Sequence, residues 1–69
     1  MQEGTIEWYE YEAREWQIDA EESEARAVRQ AALGWRNSAQ ASREYAGAAW
    51  KRAIECRATA AQLRRQRHE

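Results

Sequence analysis

Proline is absent from this 69-residue chain, and glycine occurs only at positions 4, 34 and 47. Without proline nothing forces a helix to stop, and so few glycines leave only one or two places for a sharp turn. Cys56 is the only cysteine, which excludes an internal disulfide and suits a reducing compartment. His68 is the only histidine, so no ligand cluster for a structural metal is visible. No apolar run approaches the ~20 residues that a membrane span needs. The acidic start lacks the charged-then-apolar pattern of a signal peptide, and the chain reads as soluble and cytoplasmic, with no membrane partner.

Chemistry-bearing patterns are missing as well. There is no Ser/His/Asp or Cys/His set, no glycine-rich phosphate loop and no Glu-x-x-His pair for a di-metal bundle. The sequence therefore argues against an enzyme and gives no catalytic, metal or cofactor residues. Cys56 falls on a stripe of small residues, where packing explains it better than nucleophilic chemistry.

Residues 1–69 make a single domain, and so short a chain is marginal unless something staples it. With disulfides and metals excluded, self-association is the remaining common staple, so a homo-oligomer of two or more copies is expected.

What the chain does have is charge sorted by position. Residues 1–24 carry nine acids against Arg14 alone, and residues 25–69 carry ten bases against Glu44, Glu55 and Glu69. The formal total of −1 hides a local −8 followed by a local +7. A chain so divided is ready to fold back on itself or to pair with an oppositely directed copy.

Alanine, glutamate, arginine and glutamine dominate, all good helix formers. Thr5 can cap a helix beginning at Ile6, while Arg64, Arg65 and Arg67 suit the negative end of a terminal helix. The one break is Gly34-Trp35-Arg36-Asn37-Ser38. Gly34 can take the left-handed position that closes a first helix, and Asn37 with Gln40 reads as a variant capping box opening a second. These signals predict an all-α antiparallel hairpin with helices at about 6–33 and 38–66. A single long coiled-coil helix is the alternative, because the 4-3 spacing 28, 32, 35, 39, 42 runs straight through the break. Fold-back is favoured because it sets acid beside base, with Glu7 near Arg65, Glu15 near Arg57 and Glu21 near Lys51.

One stripe of the first helix carries Ile6, Tyr9, Ala13, Trp16, Ala20, Ser23, Ala27 and Ala31, with Glu12, Glu15, Asp19, Glu22, Arg26 and Arg29 assigned to the opposite side. In the second, Ala39, Ser42, Ala46, Ala49, Ala53, Cys56, Ala60 and Leu63 form the stripe. Such small side chains let two backbones approach closely but bury little area each. Trp8, Tyr11 and Ile18 fall off the first stripe, and Trp50 and Ile54 lie on a second flank of the other helix. Two apolar flanks imply two neighbours, which points to a four-helix-type bundle of two hairpins.

These five residues, Trp8, Tyr11, Ile18, Trp50 and Ile54, form the candidate partner interface, since large aromatics with a polar edge suit contact surfaces. The expected function is that of a small interaction protein, a regulator, inhibitor or adaptor that binds another protein as a homodimer or larger. Short, motif-free chains of this style look like those of phages and other mobile elements, where binding a host factor suffices. The alternative is nucleotide or nucleic-acid binding between protomers. There Arg57, Arg64, Arg65 and Arg67 would contact phosphates and Trp8, Tyr9 and Tyr11 would stack on bases.

Overall fold

A computed structural model describes residues 2–67, and the lone histidine, His68, lies outside them. Two helices pack against each other, α1 over Ile6–Ala32 and α2 over Arg36–Arg67. They form an antiparallel hairpin with principal extents of 54 × 18 × 13 Å.

Thr5 opens α1 as expected. Its extended backbone leaves the hydroxyl free to accept the Trp8 amide at 3.1 Å, satisfying a donor that the first turn cannot. The other end of α1 explains why the chain does not run on as one helix. Gly34 adopts φ +80°, its amide donates to the Ala31 carbonyl at 3.0 Å, and the Trp35 amide donates to the Gln30 carbonyl at 2.8 Å. That pair of bonds is the Schellman closure, which the left-handed glycine makes cheap.

The second helix starts earlier than the sequence signals suggested. The Ala39 amide already donates to the Trp35 carbonyl at 2.9 Å, so α2 begins at Arg36. Asn37 lies inside its first turn, and Gln40 donates forward to Glu44 at 3.1 Å instead of back to a cap. The Asn37–Gln40 capping box is not formed. The Schellman turn has already reversed the chain by Trp35, leaving no loop for Asn37 to close.

The seam repeats every seven residues. Ile6, Ala13, Ala20 and Ala27 of α1 and Ala39, Ala46, Ala53 and Ala60 of α2 are all buried, with Ala20, Ala39 and Ala53 at 0 % exposure. Between them, Ser23, Ser42 and Ala49 are buried, while Tyr9, Trp16, Cys56 and Leu63 are half-buried. Ala31 departs from the predicted stripe and is exposed. Gln30 takes its place, accepting a hydrogen bond from Ser42 at 2.7 Å. The serines keep their hydroxyls satisfied, because Arg26 reaches both Ser42 at 3.2 Å and Ser23 at 3.3 Å.

Candidate functional site

The two sides of the hairpin carry different chemistry, and cross-helix contacts define each side. On one flank Glu10 pairs with Arg64 at 2.6 Å, Arg57 donates to Gln17, and the Trp50 indole donates to Glu24. On the other flank the Arg52 guanidinium lies 5.5 Å from the Trp16 ring centroid, Tyr45 donates to Asp19 at 3.4 Å, and Arg26 reaches Ser42.

Asp19 and Arg26 therefore border the seam and do not lie opposite it. The three ion pairs expected from fold-back, Glu7–Arg65, Glu15–Arg57 and Glu21–Lys51, do not form among the described residues, where Glu10–Arg64 is the one salt bridge. Fold-back brings these residues to similar heights, but the acid and base of each expected pair do not meet.

The first flank opens into a cleft of about 530 Å³ lined by Glu10, Ala13, Arg14, Arg57, Ala61, Arg64 and Arg65. Four guanidiniums share it with one carboxylate, over a floor of alanine. Three of the four arginines were predicted phosphate contacts. The fourth, Arg14, was missed, although it is the only base in an acidic arm and stands at the height of Arg57 and Ala61. Arg67 does not line this cleft, nor do the proposed stacking residues Trp8, Tyr9 and Tyr11.

The aromatic and aliphatic candidates divide among three places. Trp8 is half-buried and packs edge-on against Tyr9, with ring centroids 5.0 Å apart and planes at 78°, so it is less open to water than its position off the stripe suggested. Tyr11 and Ile18 stand one heptad apart on the outer side of α1, 41 % and 47 % exposed. Trp50 is half-buried through its bond to Glu24, and Ile54, one turn on, is 63 % exposed. Sequence reasoning left out Val28, Leu33, Trp35 and Tyr45, all exposed. Their apolar character was the available signal.

Cys56 remains a free thiol, half-buried on the seam. Burial pushes its pKa above the ordinary thiol value; the Glu12 and Glu55 carboxylates add to the rise, and Arg52 partly opposes it. A thiol held in its neutral form is a poor nucleophile. Among the described residues there is no cluster of three or more metal-ligating side chains, and no helix is long and apolar enough to cross a membrane.

Comparison with known proteins finds no matching family model, no matching curated protein and no matching solved structure.

Proposed function

We propose that this hairpin is a non-enzymatic interaction protein, a small regulator, inhibitor or adaptor that binds another macromolecule while self-associated. The observation that supports this reading is an inversion of the usual burial order. The seam is mostly alanine and serine, and Ile6 is the one large side chain buried in it. Tyr11, Ile18, Val28 and Ile54 are left facing water. Exposed apolar groups bordered by charge have the composition of an interface anchor with a polar rim.

Tyr11 and Ile18, set among Glu7, Glu15 and Glu22 on the outer side of α1, are the proposed partner-facing anchors. A Tyr11→Ala, Ile18→Ala double variant should remain helical by circular dichroism and lose a partner captured by the wild-type chain. Truncated anchors cost roughly 2 kcal/mol each, about 30-fold in affinity. Unchanged capture by the double variant would refute the assignment.

The arginine cleft supports a second reading, in which a nucleotide or nucleic-acid strand supplies the missing negative charge. Four guanidiniums facing one carboxylate is a repulsive arrangement that bound phosphates would relieve. Material absorbing near 260 nm that co-purifies with the wild type, and is absent from an Arg14→Ala, Arg65→Ala variant, would favour it over a protein partner.

A further inference from the structure

The flank carrying Trp50 and Ile54 also holds a glycine that the hairpin does not explain. Gly47 sits mid-α2 between Ala46 and Ala48, and a Cβ added there would meet nothing within 4 Å. Glycine inside a helix gives up stability relative to alanine, and here no close contact within the hairpin requires it. Three contacts in steps of seven, Glu10–Arg64, Gln17–Arg57 and Glu24–Trp50, fix the heights of the two helices on this side. Val28, one turn beyond Glu24, is therefore level with Gly47, about one turn before Trp50. Val28 is also 70 % exposed, a knob beside a notch.

We propose that a second copy of this chain packs on this flank about a two-fold axis running along the hairpin's length. Val28 of each copy then drops over Gly47 of the other, and both turns lie at the same end. This rests on the reading that the chain self-associates and adds where and in which orientation.

Charge selects the axis. On this flank α1 presents Glu10, Glu21 and Glu24 with Arg14 as its one base, and α2 presents Arg43, Arg57, Arg64 and Arg65. A two-fold along the length lays α1 of one copy on α2 of the other at equal heights, acid against base. A two-fold across the length lays α1 on α1 and α2 on α2, like charge on like, which interfaces avoid. The chosen arrangement also brings carboxylates of the other copy toward the arginine cleft.

Sedimentation equilibrium at micromolar concentration should give twice the 8.1 kDa chain mass. Gly47→Leu has room within the hairpin and should stay helical by circular dichroism, yet weaken the dimer at least 30-fold. Orientation is read from nitroxides placed at Trp35→Cys in a Cys56→Ala background. Turns at one end put the labels at a separation comparable to the hairpin's 18 Å width, and turns at opposite ends put them near its 54 Å length. A dimer with distant labels overturns the axis while self-association stands. A Gly47→Leu dimer as tight as wild type overturns the notch, and a wild-type monomer overturns both this packing and self-association.

Discussion

The half of the hairpin near the turn and the half near the open end are held together by different means. From Ser23 to Ala49 the seam is alanine and serine, tied by the Arg26–Ser42–Gln30 hydrogen bonds and closed by the glycine turn. Toward the open end the seam adds Trp16, Tyr9, Leu63 and Ile6, the Arg52–Trp16 cation–π contact and the Glu10–Arg64 bridge. Near the turn the chain itself keeps the helices adjacent, so a seam with little apolar area suffices. Farther out that tether weakens, and larger side chains supply the difference.

Ala53→Leu is the sharpest way to break the open half, because Ala53 is 0 % exposed on the seam, where a larger side chain must push the two helices apart. Overpacking of this kind costs about 3 kcal/mol, enough to unfold a marginal hairpin, and urea melts followed by circular dichroism will show it. Gly34→Ala strikes the other half. At φ +80° a side chain is strained whatever space surrounds it, so a loss of about 1 kcal/mol is expected in the same assay. A loss larger than that of Ala53→Leu would reverse the ranking of the two halves.

Glu10→Gln should cost less still, roughly 0.5 kcal/mol at low salt and nearly nothing at high salt, since both partners of the bridge are partly open to water. The smallest effect concerns Cys56, which should react with a thiol reagent more slowly than in the denatured chain. Its raised pKa keeps the neutral thiol favoured in the folded state. The associated stability is fully present below the ordinary thiol value and declines as pH climbs through and above it. Labelling as fast as in the denatured chain would mean that the open half is not closed over Cys56.

The seam was legible because its signal is periodic and unbroken. Every stripe position except Tyr9 and Trp16 is small or aliphatic, only Ala31 departs from the seam, and Gly34 marks the reversal through its lack of a side chain. The ion pairs were not legible in the same way. Glu7 and Arg65 share a height because the turn fixes it, but whether they face each other depends on a rotation of about 100° per residue around each axis. Sorting residues by charge carries no such angle. Arg14 was overlooked for the opposite reason, because a single base within a strongly acidic arm counts little in a sum and matters a great deal at one place. Function was the least legible part. Exposed apolar groups mark a surface without specifying what covers it.

The nested pairing gives the molecule a direction of opening. Gln30 and Ser42 meet across 12 residues of chain, and Glu10 and Arg64 across 54. Closing the longer loop costs only about 1.3 kcal/mol more in chain entropy, so the hairpin can zip outward from the turn without a steep barrier. The reverse path is graded too. Separation that starts at the tips, around Ile6 and Leu63, leaves the glycine end shut, because the pairs nearest Gly34 close the shortest loops.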